Sequence, residues 1–268
     1  MNKNIYLVLH DFTEVGDAAL NYAVNLSSNV INEIRLVHLV SKKKDIAGAV
    51  SKLNAIIAKT EKGENTEISC LVEAGSIFED ISKIVKKEKA NLIIMGTHGA
   101  KGFQKVFGSF AIKVITSSDV PFFVIQKDTK VKAVKKIIVP IDLKKESLQI
   151  VNIAGDLANM YQAEIFLVAE KQDDVLLSQR IKNRILIVRK QYEERNIKCT
   201  IELIKGSGNY SSKIMKYAKE NDIDLIAIAY HSSSLFPGFD KYAQTLITND
   251  ELLPCVILNA KPASSVSF

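Results

Sequence analysis

The sequence predicts an α/β protein built from two tandem, doubly wound domains, each with a five-stranded parallel sheet. Three observations support this prediction. Short runs rich in Val, Ile and Leu alternate with segments of helical periodicity, the alternation occurs twice, and a charged stretch separates the two copies. Such runs are typical of strands buried on both faces, and their alternation with helices is typical of a parallel sheet covered on both sides. At 268 residues and 47% hydrophobic content, the chain is long enough to bury two small cores.

An internal repeat gives the order of the elements. Each copy begins with an apolar strand that ends in aspartate, Asp11 in the first and Asp142 in the second, 131 residues later. A polar turn and a segment with apolar residues at helical spacing follow each aspartate. Further matches are IRLVHLV with IFLVAEK, Gly75-Ser76 with Gly206-Ser207, ANLIIMGTH with IDLIAIAYH after a two-residue insertion, and SSDVPFFVIQ with NDELLPCVIL. Each copy is therefore predicted to alternate strand and helix four times and to end on a fifth strand.

The stretch QKDTKVKAVKK, residues 126–136, is charged and lacks apolar periodicity, which predicts a linker. We expect the first domain to span residues 1–127 and the second residues 135–260. VPFFVI and LPCVIL would each lie at a sheet edge, and an apolar edge strand needs a cover. The equivalent strand of the other copy is the simplest cover, so an internal pseudo-dimer is expected. The sequence leaves open whether two chains form a homodimer.

Composition excludes several classes of protein. No run approaches the roughly 18 to 20 apolar residues of a membrane helix, so a cytoplasmic protein without a membrane partner is expected. Cationic and anionic residues, 36 and 30 in number, are interspersed, and no aromatic residues interleave the basic linker, which disfavours nucleic acid. Three cysteines and four histidines lack the spacing of a metal or redox motif. The cysteines are predicted to be buried thiols in a reducing compartment.

The most informative segment is the glycine-studded loop MGTHGAKGFQKVFGS, residues 95–109. It follows the predicted strand NLIIM and precedes FAIKVITSS, predicted as a helix that begins after Gly108-Ser109. Its glycines would let the backbone turn sharply or approach a ligand, and the helix amides would face an anion. Ser109 could cap this helix or give its hydroxyl to phosphate. Spaced glycines alone are equally typical of a plain strand-to-helix connection.

The context of this loop resembles one family. Asp11 ends the first strand, LVHLV forms the second, IIMGTHGAKG follows the fourth, and VFGS precedes the VPFFVI strand. Together these segments resemble the universal stress protein family, and the whole chain, from about residue 3 to 259, resembles a tandem member. The resemblance implies a Rossmann-like fold of the adenine nucleotide alpha hydrolase type, a role in stress responses and, in one branch of the family, an ATP site.

The resemblance also assigns roles to individual residues of the first copy. Asp11 would hold the ribose and the backbone near Leu39 would meet the adenine. The remaining contacts would come from Met95 and Gly96 beside the nucleotide, Gly99 and Gly108 where amides reach the phosphates, and Ser109 with the Phe110 amide. Two departures stand against this assignment. Eight residues, AKGFQKVF, separate Gly99 from Gly108 where the family pattern has nine, and Leu9 replaces a proline common in nucleotide-binding relatives.

The second copy lacks the glycine loop. Its segment AIAYHSSSLFPGFDKYAQTL has Ala229 in place of Gly96, and an aspartate where phosphate would lie. The other replacements are Ser232 for Gly99 and Asp240-Lys241 for Gly108-Ser109. An aspartate there repels phosphate, so no triphosphate is expected in the second domain. A glycine needed only for the fold should persist in both copies, so its loss favours a ligand role in the first.

These inferences predict a regulator that binds ATP or AMP in its first domain, with Mg²⁺ as a candidate companion ion. Bound nucleotide would order the loop and act as a conformational switch for an unidentified protein partner. The motif has no evident general base, so we expect no enzyme and at most slow hydrolysis. The main alternative is a nucleotide-free scaffold or regulator that acts through protein contacts. An adenylate-forming enzyme is disfavoured because HDFTEVGD stands where an SGGxDS loop would be, and a nucleic-acid binder has only the net charge of +6 in its favour.

Overall fold

The computed structural model describes residues 4–27, 32–64, 66–97, 107–230 and 241–261. The chain divides into two compact units, with the boundary between Val131 and Lys132. Each unit contains five strands, and neighbouring strands within each unit run parallel. The predicted fold, two tandem doubly wound parallel-sheet domains, is confirmed.

The first unit alternates strand and helix, and its sheet has the order β3-β2-β1-β4-β5. The chain therefore moves from β1 outward to β3 and then crosses back to β4. Strand order reverses between β1 and β4, which is where open α/β sheets bind ligands beyond their carboxyl ends. The elements are β1 (Asn4–Leu9), α1 (Glu14–Leu26), β2 (Asn32–Val40), α2 (Ile46–Lys59), β3 (Thr66–Ala74), α3 (Ile77–Glu88), β4 (Leu92–Thr97), α4 (Phe107–Ile115) and β5 (Phe122–Gln126).

The second unit repeats this topology with the strand order β8-β7-β6-β9-β10. Several of its helix starts differ from those of the first unit. A 3₁₀ helix, Lys145–Gln149, precedes its first α-helix, and two additional residues, Gly208 and Asn209, precede its third. The elements are β6 (Lys136–Ile141), α5 (Ile150–Tyr161), β7 (Glu164–Glu170), α6 (Val175–Glu194), β8 (Cys199–Ile204), α7 (Tyr210–Glu220), β9 (Leu225–Tyr230), α8 (Lys241–Ile247) and β10 (Cys255–Asn259).

The strands of both units are buried on both faces because helices cover both sides of each sheet. Leu7 and Val8 in β1 and Ile93 and Ile94 in β4 are all fully buried, although successive side chains point to opposite faces. Helix α1 buries a stripe at three- and four-residue spacing, formed by Val15, Ala19, Tyr22, Ala23 and Leu26. This arrangement explains why the strands are continuous apolar runs whereas the helices are amphipathic.

A buried aspartate anchors the segment that enters the second unit. The carboxylate of Asp224, just before β9, accepts hydrogen bonds from the backbone N–H groups of Lys135 and Lys136 at 2.8 and 2.9 Å. The Lys132 ammonium also lies 2.6 Å from the Asp224 carboxylate. These bonds fix the start of β6 beside β9, although 88 residues separate Lys136 from Asp224.

The three cysteines differ in exposure, so the prediction of buried thiols holds fully only for Cys255. Cys70 and Cys199 are half-buried because β3 and β8 are the outer strands of their sheets. Burial raises the pKa of the Cys199 thiol to about 11. Since the thiolate is the reactive form, only about one Cys199 side chain in a thousand would be reactive at pH 8.

We therefore expect a maleimide reagent at pH 8 to label Cys70 first, Cys199 much more slowly, and Cys255 only after unfolding. Mass-spectrometric mapping of peptides from timed reactions measures the order, and the chain in urea, where all three thiols should react, is the control. Labelling of Cys199 as fast as Cys70 would contradict the burial seen in β8.

Candidate functional site

A cavity of about 270 Å³ opens in the first unit at the carboxyl ends of β1, β2 and β4, where the strand order reverses. Five of the eight residues proposed from sequence line it, namely Asp11, Leu39, Met95, Gly96 and Phe110. The other lining residues are Leu9, His10, Val15, Gly16, Val37, His38, Gly75 and Ile77. Most of this wall is apolar, and Asp11 is its acidic group.

The three remaining predicted residues belong to the glycine loop and the start of α4. Gly99 lies outside the described residues. Gly108 and Ser109 lie in the described helix, which already includes Phe107, so the prediction that the helix begins after Ser109 is wrong. Both residues continue the helix. Glycine and serine are tolerated in the first helical turn, where the backbone N–H groups have no acceptors within the helix.

Asp11 is fixed by the turn that follows β1. Its Oδ1 accepts hydrogen bonds from the Thr13 N–H at 3.1 Å and from the Thr13 hydroxyl at 2.5 Å. The Asp11 residue is exposed, and among the described residues none bonds to its second oxygen, Oδ2. The carboxylate is therefore held in one orientation with an oxygen available to a ligand.

The turn also depends on His10, which is 3% exposed. The Phe12 N–H donates to Nδ1 of His10 at 3.1 Å, and Nε2 lies 3.1 Å from Oδ1 of Asp17. Because Nδ1 accepts a hydrogen bond, the ring proton belongs on Nε2, which donates to Asp17. The hydrogen bond from the Phe12 N–H to His10 holds Phe12 at φ 63°, a left-handed conformation that a bulky residue rarely adopts.

A second histidine completes this corner of the pocket. Nδ1 of His38, on β2, donates to the carbonyl oxygen of His10 at 2.7 Å, and the His38 ring lies 4.3 Å from the Phe12 ring, centroid to centroid. Neither histidine was predicted as a pocket residue, because the four histidines of the sequence lack the spacing of a metal motif. Their signal was position, because His10 and His38 each stand near the carboxyl end of a strand, and β1 and β2 are adjacent.

Gly96 has a packing function that the sequence did not reveal. A Cβ on Gly96 would lie 2.3 Å from Cγ1 of Val15 and 2.4 Å from its carbonyl oxygen. The first turn of α1 therefore approaches β4 so closely that only glycine fits. The inference that a glycine kept for the fold would persist in both copies is wrong here, because the second unit has a 3₁₀ helix, Lys145–Gln149, before α5 and accommodates Ala229 on β9.

The start of α3 forms another wall of the pocket. Ser76 caps the helix by accepting from the Phe78 N–H at 3.3 Å, and Oδ2 of Asp80 accepts from the Ser76 N–H at 2.9 Å. The hydrogen bond from Lys83, together with that from Ser76, holds the pKa of Asp80 below its usual value. These caps place Ile77, the first helical residue, in the pocket wall.

Phe110 forms the wall on the α4 side. Its ring lies edge-on to that of Phe78, with 5.0 Å between centroids, and 45% of the residue remains exposed. Helices α3 and α4 thus meet at an aromatic contact beside the cavity. An exposed phenylalanine at a pocket wall offers a flat apolar face to a ligand.

In the second unit, a side chain fills the corresponding place. Asn209 caps α7 as Ser76 caps α3, so Tyr210 corresponds to Ile77. The Tyr210 hydroxyl lies 3.0 and 3.1 Å from the carbonyl oxygens of Ile141 and Val168, at the ends of β6 and β7. Burial raises the pKa of Tyr210 well above its usual value, which keeps the hydroxyl proton available to these carbonyls.

The backbone at the end of β6 is also engaged by protein groups. Arg184, on α6, donates to the Asp142 carbonyl oxygen at 2.5 Å, and the Lys144 N–H donates to Oδ1 of Asp142 at 2.8 Å. Burial lowers the pKa of Arg184. Asp240, the residue expected to repel phosphate in this unit, lies outside the described residues, whereas Tyr210 and Arg184 contact the strand-end carbonyl groups within them.

Comparison with known proteins agrees with the repeat and with the fold. The family model for the universal stress protein family matches residues 1–126 and again residues 133–239. A universal stress protein of Methanocaldococcus jannaschii is 25% identical over 147 residues, which cover 44% of this chain and 91% of the relative.

Solved structures also resemble the whole chain, among them the following two. That of a universal stress protein from Archaeoglobus fulgidus has a TM-score of 0.73 at 18% identity and covers 97% of this chain and 99% of its own. That of a functionally unknown protein from Pseudomonas aeruginosa has a TM-score of 0.65 at 16% identity and covers 96% and 93%. At such identities these structures show a shared fold. With both halves matched by the family model, the chain belongs to the universal stress protein family.

Proposed function

We propose that the first unit binds an adenine nucleotide, ATP or AMP, and acts as a nucleotide-dependent regulator in stress responses. The observation that supports this proposal is the cavity at the reversal of strand order, lined by Asp11, Leu39 and Met95. The second unit binds no nucleotide in this proposal, because Tyr210 fills the corresponding place.

The chemistry of the cavity suits a nucleoside. Its volume of about 270 Å³ approaches the lower end of the roughly 300 to 1,000 Å³ common for ligand pockets, which suits a base and sugar. Val37, Leu39, Met95 and Phe110 provide apolar surface for a flat base. Oδ2 of Asp11 can accept a hydrogen bond from a ribose hydroxyl. Phosphates would then extend toward the first turn of α4, where free amides favour anions.

In this proposal the protein acts in the cytoplasm as a conformational switch and is not an enzyme. Nucleotide binding would favour one conformation of the loop that joins β4 to α4, and a protein partner would bind that conformation more tightly. Mg²⁺ would accompany a triphosphate, and a second copy of the chain is a candidate partner. This mechanism requires that the nucleotide bind the two conformations with different affinities.

The direct test is equilibrium dialysis of the full chain against labelled ATP or AMP with Mg²⁺. Two variants test the role of Asp11 in binding. Asp11→Asn keeps an oxygen that accepts from Thr13, whereas Asp11→Ala removes it. If Asp11 bonds the ribose, both variants should bind at least about tenfold more weakly, since one hydrogen bond to a charged group contributes about 1.5–3 kcal/mol.

The sign of the change is decisive. If Asp11 only lies near the phosphates, removal of its negative charge should strengthen ATP binding because repulsion decreases. An unchanged or higher affinity in both variants would contradict the proposed ribose contact, and AMP, which carries less charge, serves as the control for electrostatics.

A nucleotide-free scaffold remains the second candidate, and the packing of Gly96 favours it. Since Val15 alone explains that glycine, Gly96 gives no independent support to a ligand. No retention of ATP or AMP by the intact chain at millimolar concentration would favour the scaffold and refute the nucleotide proposal.

A further inference from the structure

A groove of about 980 Å³ lies in the second unit between the outer strand β8 and helix α7. One wall is the last part of β8, Glu202 to Ile204, and its continuation through Lys205 to Ser207. The other wall is one stripe of α7. This groove is separate from the place filled by Tyr210 and has no part in the nucleotide proposal.

The outer edge of β8 presents backbone groups that β7 does not use. The Ile165 N–H donates to the Lys198 carbonyl, and the Lys171 N–H donates to the Ile204 carbonyl, each at 2.9 Å. Because backbone groups alternate along a strand, those of residues 198, 200, 202 and 204 face β7. The N–H and C=O groups of Ile201 and Leu203 therefore face outward, away from the sheet.

Helix α7 borders this edge with a stripe of polar and aromatic side chains. Its lining residues recur at the spacing of one helix face and are Ser212, Lys213, Lys216, Tyr217, Glu220 and Asn221. An edge strand with a helix face alongside it is a geometry in which an extended peptide can add to a sheet, with its backbone bonded to the strand and its side chains on the helix.

The charge of the groove favours an acidic occupant. Lysine supplies four of its lining residues and glutamate two. Lys213 is paired with Glu170 at 2.5 Å, and Lys216 lies 3.8 Å from Glu220. Within the described part of the chain, Lys171 and Lys205 have no acidic partner, and both are exposed near the carboxyl end of β8.

The loop beyond β8 leaves this end of the groove open. Gly206 and Gly208 have φ values of 120° and 97°, which other residues rarely adopt, and a Cβ on Gly206 would meet nothing within 4 Å. The space beside Lys205 is therefore free for the side chains of a ligand.

We propose that the second unit binds an extended acidic peptide segment of a partner protein by strand addition to β8. The peptide backbone bonds to the outward N–H and C=O groups of Ile201 and Leu203. Its acidic side chains contact Lys171 and Lys205, and the remaining side chains pack beside Tyr217 on α7.

The test uses the full chain and fluorescent seven-residue peptides in which valine alternates with glutamate, glutamine or lysine, followed by anisotropy. Leu203→Pro removes the outward N–H without touching the bonds to β7, whereas Leu203→Ala removes the same side chain and keeps that N–H. The glutamate peptide should bind at least about tenfold more tightly than the glutamine peptide, which corresponds to about 1.4 kcal/mol.

Leu203→Pro should weaken binding about tenfold more than Leu203→Ala, and Lys171→Glu with Lys205→Glu should abolish the preference for glutamate. Circular dichroism of each variant verifies the fold. Equal affinity of the three peptides, no binding at millimolar concentration, or equal affinity of the two Leu203 variants would each refute strand addition. Displacement of the glutamate peptide by millimolar pyrophosphate would instead indicate a site for small anions, and would also refute it.

Discussion

Replacing Ile77 with tyrosine should abolish the nucleotide binding that we propose for the first unit, without unfolding it. Ile77 and Tyr210 occupy equivalent positions at the first residues of α3 and α7. In the second unit the tyrosine already fills this position and bonds to strand-end carbonyls. A tyrosine at 77 would occupy the cavity and compete with the base, so we expect a loss of at least about 100-fold in affinity, or 2.7 kcal/mol.

Isothermal titration of ATP and AMP into the full chain measures this loss. Ile77→Leu, which conserves volume, is the matched control and should bind within about threefold of the parent chain. Circular dichroism and a urea titration establish that the Ile77→Tyr variant is folded. A folded Ile77→Tyr chain that binds ATP with unchanged affinity would show that the nucleotide lies elsewhere.

The Gly96→Val substitution should strongly destabilise the first unit. The Cβ of the new valine would lie 2.4 Å from the carbonyl oxygen of Val15. Because this oxygen belongs to the backbone, the contact is relieved only if α1 moves away from β4. Overpacking of a core commonly costs about 1–3 kcal/mol, and we expect about 3 kcal/mol here because a helix must shift. The midpoint of unfolding in urea measures the change.

The controls separate side-chain from backbone crowding. The double variant Val15→Ala with Gly96→Ala removes the clash with Cγ1 of Val15 but keeps the clash with the Val15 carbonyl oxygen. It should therefore recover only part of the stability that is lost when Gly96 alone is replaced. Ala229→Gly at the equivalent, buried position of the second unit should cost about 1–2 kcal/mol, from the backbone entropy of glycine and the loss of one buried methyl group. An unchanged urea midpoint for Gly96→Val would contradict the close approach of α1 to β4.

The elements and their order could be predicted because they depend on local patterns. Apolar runs predicted strands, three- and four-residue spacing predicted helices, and the match of Asp11 with Asp142 revealed the duplication. Helix starts were less predictable. The helix placed after Ser109 already includes Phe107, and the first helical turn of the second unit is a 3₁₀ helix, since such ends depend on packing as well as on capping residues.

The sequence also predicted that several of the proposed site residues lie close together, since residues at strand ends meet at one edge of a parallel sheet. Asp11, Leu39, Met95 and Gly96 are distant in sequence and line one cavity. Their roles toward a nucleotide stay predictions, as do those of Gly99, Gly108 and Ser109. The positions of His10 and His38 near the ends of adjacent strands were a sequence signal for this corner, but they did not predict the bonds that join the turn to β2, because each bond depends on side-chain orientation.

The sequence by itself determined a duplicated α/β fold and the family, because hydrophobic periodicity and repeated segments are properties of neighbouring residues. The tertiary structure decided what lies at these strand ends, which is a cavity in the first unit and the Tyr210 side chain in the second. That outcome depends on Val15 against Gly96, on His38 bonding to the His10 carbonyl, and on Tyr210 filling the second site. These contacts join residues 28 to 81 positions apart in the chain, and only the folded backbone brings them within bonding distance.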